Sequence, residues 1–227
     1  MNLADLRAQL EEDQAWRDSE IRAFQNYGAT IQDEEELKRY RRALVLLLYA
    51  HYEGFCKFAF SLYAEAINQA GVTCGEASYA IAAASLADLF RNLRNPQSKS
   101  DLFRRELPDD SSLHQFARER NFVELSSEFE KRPVSIPEDV VDTESNLKPV
   151  VLRKNLFRLG LPHDQFEQFD GDINKLLNIR NGISHGSLKD GVEKKLYEEL
   201  RTSTTTVMSR LSAGIMKALS DKTYLRT

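Results

Sequence analysis

The sequence predicts an all-α fold. Apolar residues recur at helical spacing in several long segments, and no segment of useful length alternates apolar and polar residues as a strand would. Residues 43–63 (ALVLLLYAHYEGFCKFAFSLY) are apolar on nearly all sides, which is typical of a core helix or an oligomer interface. We therefore expect a bundle of four to five core helices in a single domain, residues 1–227, with an irregular insert at 95–150.

Three helices are predicted before the insert, at about residues 2–27, 33–70 and 75–94. The first has leucines and aromatic residues at helical spacing. The second begins near Asp33, whose side chain can cap it, and the carboxylates at 34–36 interact favourably with the positive end of its dipole. The third is rich in alanine and leucine. Each helix ends at a residue that disfavours continuation: Gly28, Gly71 and Pro96.

Residues 95–150 contain prolines and mixed charges and are predicted to be irregular, with a helical patch at about 113–130. Three further helices are predicted after this segment, at about residues 148–160, 163–186 and 192–219. The first two end at Gly160 and Gly186, and glycine is the residue that most often follows a helix C-terminus.

The composition indicates a globular protein without a cofactor, a bound metal or a disulfide framework. The net charge is −4, so an affinity for nucleic acid has to come from local basic patches. Cys56 and Cys74 have no metal-site companions at short spacing, which favours a reducing, cytoplasmic location. The sequence contains no G-x-x-x-x-G-K-[ST], G-x-G-x-x-G, H-E-x-x-H or G-x-S-x-G motif. No membrane association is expected: the first residues lack a basic signal-peptide region, and the longest apolar run, 43–50, falls short of the roughly 20 residues that cross a bilayer.

The segment IRNGISHG, residues 179–186, is the strongest candidate for chemistry. Cleavage of RNA without a metal needs proton transfer at the 2′- and 5′-oxygens and a cation at the phosphate; imidazole and guanidinium suit these tasks. Asn181 and His185 are four residues apart and share a helix face, and the long side chain of Arg180 can reach the same space. If Gly186 follows the helix, His185 lies in the last turn, where the negative end of the dipole favours a protonated imidazole.

The spacing alone does not single out this segment. Chance predicts about 0.3 Arg-x4-His matches in such a composition, and Arg158 with His163 provides a second match. Requiring asparagine directly after the arginine lowers the expected number to about 0.02 and rejects that second match. From spacing and composition, a structural histidine at a helix end is as good an interpretation as a catalytic one.

R-N-x-x-x-H near the end of a bundle helix resembles the signature of the HEPN (higher eukaryotes and prokaryotes nucleotide-binding) superfamily. Three stretches sharpen the resemblance to bacterial HEPN-like nucleases of the MAE/RiboL-PSP type: LYAHYEGFCKFAFSLYAEAI (48–67), TESNLKPVVLRKNLFRLGLP (143–162) and INKLLNIRNGISHG (173–186). The resemblance implies a helical bundle that dimerises, with two motifs facing each other across a cleft. It also implies metal-independent cleavage of RNA, with Arg180 binding the phosphate, His185 transferring protons and Asn181 orienting both.

Several other residues are candidates for support of the site or for contact with RNA. Glu53 and His51 lie in the apolar second helix, where polar side chains need partners. Glu53 could position Arg180 or His185, or simply pair with Lys57; His51 could simply be hydrogen-bonded. Two basic stretches could contact RNA or be solvated surface: residues 91–105, and residues 147–162 with Lys148, Arg153, Lys154 and Arg158. The aromatic residues of the second helix are expected to pack in the core rather than stack on bases: Tyr40, Tyr49, Tyr52, Phe55, Phe58, Phe60 and Tyr63.

The sequence therefore predicts a homodimeric endoribonuclease that cleaves RNA by 2′-hydroxyl attack. Its expected role is that of a toxin or phage-defence effector, and a toxin of this kind would have a cognate antitoxin protein as its partner. One alternative is a non-catalytic HEPN module that binds RNA, a nucleotide or a protein. Another is a structural helical protein in which Asn181 and His185 cap one helix.

Overall fold

The computed structural model describes residues 2–101 and 111–226, and within these ranges it contains eight α-helices. They are α1 (Leu3–Gly28), α2 (Glu34–Asn68), α3 (Tyr79–Ser85), α4 (Ala87–Arg94), α5 (Ser111–Ser126), α6 (Pro149–Arg158), α7 (Asp170–Ser184) and α8 (Lys194–Ser220). The described residues form no strand, and their β pairing is limited to two isolated bridges, Thr73–Pro133 and Ala77–Leu225. The prediction of an all-α fold is confirmed.

Four long helices form the central bundle. α2 packs against α1, α7 and α8, and α8 also packs against α1 and α7. The large side chains of α2 that are almost completely buried include Tyr52, Phe55, Phe60 and Tyr63. Burying each of the two phenylalanines contributes about 1.5–3 kcal/mol, so the helix predicted to be apolar all round is the centre of the core. By length and composition alone α2 could also cross a membrane, but 56% of its most apolar stretch is buried by the rest of the fold.

The ends of α2 follow from local sequence chemistry, as predicted. The Asp33 side chain accepts a hydrogen bond from the backbone N–H of Glu36 at 2.7 Å, which satisfies one of the free donors of the first turn. Beyond the last turn, Gly71 adopts φ +70°, a left-handed conformation that favours glycine. The helix bounds of α1 and α8 also lie within a few residues of the predicted ones.

The predicted third helix, 75–94, is wrong as a single element. Its first residues form a turn, and the helix is interrupted at Leu86, which separates α3 from α4. The two short helices pack against different neighbours: α3 against α6, and α4 against α5. Leu86 itself is buried at the junction, so tertiary packing accounts for a break that the helical pattern does not indicate.

The segment 95–150 divides into a peripheral part and a part that returns to the core. α5 lies against α4 at the periphery. The following chain, from 134 to 147, buries five apolar side chains in the same core as the bundle: Val134, Ile136, Val140, Val141 and Leu147. Because the Leu147 N–H also donates to the Tyr49 hydroxyl at 3.0 Å, this part of the segment is fastened to the middle of α2.

The helix predicted for 163–186 begins later than expected. Phe166 is buried and is followed by a 3-10 turn at Glu167–Phe169, so the regular helix α7 starts only at Asp170. α7 packs against both α2 and α8, and the contact of Arg180 with Tyr49 places its C-terminal end beside the middle of the core helix.

Candidate functional site

Arg180, Asn181 and His185 lie at the C-terminal end of α7. Arg180 and Asn181 are partly buried, and His185 is exposed at the position that caps the helix. Gly186 adopts φ +71°, as predicted for the residue that follows the helix. The N–H groups of Gly186 and Ser187 donate to the carbonyls of Ile183 and Gly182, at 3.1 and 2.9 Å, and close the helix end in a Schellman motif.

Asn181 contacts both other residues of the motif. Its side-chain oxygen accepts a hydrogen bond from Arg180 Nη1 at 2.9 Å. Its backbone carbonyl accepts the N–H of His185, also at 2.9 Å. The first bond joins the Asn181 amide to the guanidinium group, whereas the second is the ordinary helix bond that any residue at this position makes with the residue four later.

The Arg180 guanidinium lies over the ring of Tyr49, with its central carbon 4.8 Å from the ring centroid. This is a cation–π contact, in which the negative face of the ring attracts the cation. Tyr49 is only 3% exposed. Its hydroxyl accepts the N–H of Leu147 at 3.0 Å. Burial raises the pKa of Tyr49 to about 12, and the nearby Glu53 raises it further while Leu147 and Arg180 oppose the shift. The phenol is therefore protonated at neutral pH.

Glu53 and His51 point to different parts of the molecule. Glu53 lies one turn after Tyr49 on α2, near enough to raise the pKa of the tyrosine. His51 does not join the site: it is buried against α1, where its Nε2 lies 2.8 Å from the carboxylate of Glu20. Burial lowers the pKa of His51, Glu20 opposes this shift, and Arg17 adds to it.

The four basic residues predicted as an RNA track are in different environments. Arg153 pairs with Asp170, and Lys154 lies 2.8 Å from the Glu144 carboxylate. Lys148, at the start of α6, and Arg158, at its end, are exposed, and no ion pair involves them among the described residues. The sequence stretch has no acid of its own, but the fold brings acids to its two central cations.

The second basic stretch, 91–105, is also partly neutralised. Arg91 pairs with Asp88 at 3.0 Å and with Asp139 at 2.5 Å. The Arg94 guanidinium lies 5.7 Å from the centroid of the Phe90 ring. Residues 104 and 105, the last two cations of this stretch, lie outside the described residues.

The second Arg-x4-His match does not form a comparable arrangement. α6 ends at Arg158, and Gly160 turns the chain with φ +68°. The ring of His163 packs edge-on against Phe157, with 5.7 Å between the centroids. The rejection of this pair on sequence grounds agrees with its geometry.

Tyr49 is the residue at the site that the sequence did not single out. The aromatic residues of the second helix were expected to be core packing, and Tyr49 is indeed buried, but its ring also faces Arg180. The spacing of Tyr49 and Glu53, four residues apart on a helix, is the one local signal that could have connected them.

The described residues hold no cluster of three or more His, Cys, Asp or Glu side chains arranged to bind a metal ion. Cys56 and Cys74 are both buried and not joined in a disulfide.

A sequence model of the HEPN_MAE_28990-like HEPN family matches residues 6–224, nearly the whole chain. The chain therefore belongs to this HEPN family, and the resemblance noted from its motif is confirmed. HEPN domains are commonly ribonucleases. No curated protein and no solved structure matches the chain.

Proposed function

We propose that the protein is a metal-independent endoribonuclease whose cleavage site contains Arg180, Asn181 and His185. The observation that carries this proposal is the placement of the three residues at one helix end, where the Asn181 side chain holds the Arg180 guanidinium by a hydrogen bond and His185 is exposed. Membership of a family whose domains are commonly ribonucleases supports it.

Each residue has a distinct task in the proposed reaction. The 2′-oxygen of RNA attacks the adjacent phosphorus, the bond from phosphorus to the 5′-oxygen breaks, and the products are a 2′,3′-cyclic phosphate and a 5′-hydroxyl. Arg180 stabilises the negative charge that grows on the phosphate oxygens. His185 is exposed and can take the proton from the 2′-hydroxyl or deliver one to the 5′-oxygen.

One imidazole cannot serve both oxygens of the same phosphate at once. We therefore propose that two copies of the chain pair so that both His185 side chains face one substrate strand. The proposed biological role is that of a toxin or defence effector in the cytoplasm, restrained by an antitoxin protein.

The RNA beyond the cleavage site is proposed to follow α6. Lys148 and Arg158 are exposed at opposite ends of this ten-residue helix, which spans about 15 Å. Leu147, directly before the helix, contacts Tyr49 beneath Arg180, so the start of α6 adjoins the site. Arg153 and Lys154 contribute less to this path because carboxylates already neutralise them.

The test is cleavage of end-labelled single-stranded RNA in the presence of EDTA. We expect wild type to cleave, and Arg180→Ala and His185→Ala each to lose activity by about 100-fold or more. His163→Ala and Arg22→Ala are matched controls, since both side chains are exposed and lie outside the motif. Mass spectrometry of the products should detect the cyclic phosphate end.

The alternatives give different results. RNA binding without cleavage in wild type would favour the non-catalytic module. Cleavage that disappears in EDTA, or that is equal in wild type and His185→Ala, would refute the proposed mechanism.

A further inference from the structure

We infer that Tyr49 is the positioning residue of Arg180, and that Glu53, one turn further along α2, acts on Tyr49 rather than by pairing with Arg180. By this inference, the Tyr49 ring on α2 holds the Arg180 guanidinium in place at the proposed cleavage site. It rests on the proposed function for its activity assay, but a second assay does not depend on activity.

The guanidinium of Arg180 is held from two directions. Asn181 accepts one of its five N–H donors, and the Tyr49 ring lies against its face at 4.8 Å. A hydrogen bond at the edge and a ring at the face together fix both the position and the plane of the group. The other donors stay free for a planar, two-pronged contact with phosphate oxygens.

Arg180 has no carboxylate partner among the described residues, unlike several other arginines of the chain. Those that pair with an acid include Arg17, Arg41, Arg91, Arg153 and Arg201. An ion pair would neutralise Arg180 and occupy the donors that a phosphate needs. Glu53 lies one helix turn after Tyr49 and forms no ion pair with Arg180 in the described part of the chain, so it can act on the tyrosine without taking those donors.

The ring of Tyr49 cannot easily turn away. Its hydroxyl accepts from the Leu147 N–H at 3.0 Å, and its ring is buried. Leu147 is in turn fixed by the preceding turn, in which Glu144 and Ser145 have φ of +51° and +56°. Such angles are costly for residues other than glycine, and they persist only where the surrounding contacts impose them. α6 holds this turn through Asn155, whose amide donates to the Asp142 carbonyl at 2.8 Å.

The first test is a double-mutant cycle on RNA cleavage. We expect Tyr49→Leu to lower kcat by about 10-fold or more, and Tyr49→Phe and Glu53→Gln to lower it by about 3-fold. In the Arg180→Ala background, none of these substitutions should change the residual rate by more than about 2-fold, because the group they position is absent. Tyr52→Phe is the matched control, since Tyr52 is on the same helix, is fully buried, and has a hydroxyl without a hydrogen-bond partner among the described residues.

The second test records the side-chain Nε–Hε resonance of Arg180 by NMR, assigned by its loss in Arg180→Ala. In wild type the ring current of Tyr49 should shift this resonance upfield, since the guanidinium lies over the ring face. Tyr49→Leu should abolish that shift, whereas Tyr52→Phe should leave it unchanged. If Tyr49→Leu does not fold, Tyr49→Phe and Glu53→Gln should still broaden or move the resonance, because each removes one restraint on the ring.

The outcomes separate this inference from the proposed function. If cleavage depends on Arg180, but Tyr49→Leu and Glu53→Gln lower the rate by the same factor in the Arg180→Ala background as in wild type, the inference is wrong and the nuclease proposal stands. If no cleavage depends on Arg180, the nuclease proposal fails and the resonance alone decides whether Tyr49 positions Arg180. If no Tyr49 substitution changes the Arg180 resonance, the inference is wrong in either case.

Discussion

Gly186 allows a direct test of how the end of α7 supports His185. The glycine adopts φ +71°, and a Cβ added to it would meet no described atom within 4 Å. Gly186→Ala therefore adds backbone strain and no steric clash. An L-residue in the left-handed region costs about 1–2 kcal/mol, and the lower unfolded-state entropy of alanine offsets part of that cost. We expect a loss of about 1 kcal/mol in the free energy of unfolding, which lowers Tm by about 2–4 °C in a chain of this size.

Gly71→Ala is the matched control. Gly71 follows α2 with φ +70°, and a Cβ added there would also lie more than 4 Å from every described neighbour, so its substitution should cost the same stability. The two variants should differ in RNA cleavage, because only Gly186 adjoins His185. If the strain is relieved by fraying of the Schellman turn, about 1 kcal/mol lowers the ratio of native to frayed helix ends by about 5-fold, so the rate should fall by at most that factor.

The measurements are thermal unfolding followed by circular dichroism and the rate of cleavage of a labelled RNA. Equal cleavage rates in Gly186→Ala and Gly71→Ala would refute the idea that the glycine turn holds His185 in a working position. A Tm loss in Gly186→Ala several times that in Gly71→Ala would refute the estimate of strain.

Two further predictions concern stability. Burial lowers the pKa of His51 below its ordinary value of about 6.5, so the unfolded chain binds more protons there, and stability should fall as the pH drops below about 6.5. Urea unfolding at pH 7.5 and 5.5 should show a larger loss in wild type than in His51→Gln; an equal loss would contradict the assignment. Gly191→Ala should lower the free energy of unfolding by about 1–3 kcal/mol, because the added Cβ would lie 2.4 Å from Lys38 Cβ and 2.8 Å from the Lys38 carbonyl carbon. Gly171→Ala should show no such loss of stability in the same assay, because its added Cβ would meet nothing within 4 Å in the described part of the chain.

Much of the fold could be predicted because its signals are local. Asp33 caps α2 with its own side chain, and Gly71 and Gly186 turn the chain with their own backbones. The helical period of α1, α2 and α8 is likewise carried by residues three and four apart. The break at Leu86 and the late start of α7 at Asp170 could not be predicted in this way. They depend on which neighbour each short element packs against.

The candidate site likewise has one part that the sequence predicts and one part that only the fold determines. Arg180, Asn181 and His185 lie within six residues on one helix, so their proximity follows from the sequence alone. Glu53 was a candidate but Tyr49 was not, because the contact of its ring with Arg180 joins α2 to α7, and Leu147, far along the chain, holds its hydroxyl. His51, two residues before Glu53, faces α1 instead.

Which basic residues are neutralised by acids also depends on the fold. Residues 147–162 contain four cations and no acid, yet Glu144 and Asp170, just outside that stretch, neutralise two of them. Hydrogen bonds and steric limits over a few residues specify the helical class, most helix ends and the R-N-x-x-x-H motif, so these could be read from the chain before any coordinates. The support of Arg180 by Tyr49, the separate place of His51 and the neutralisation of Arg153 and Lys154 emerge with the folded core. Those contacts join residues from separate elements, and packing of the whole core brings them together.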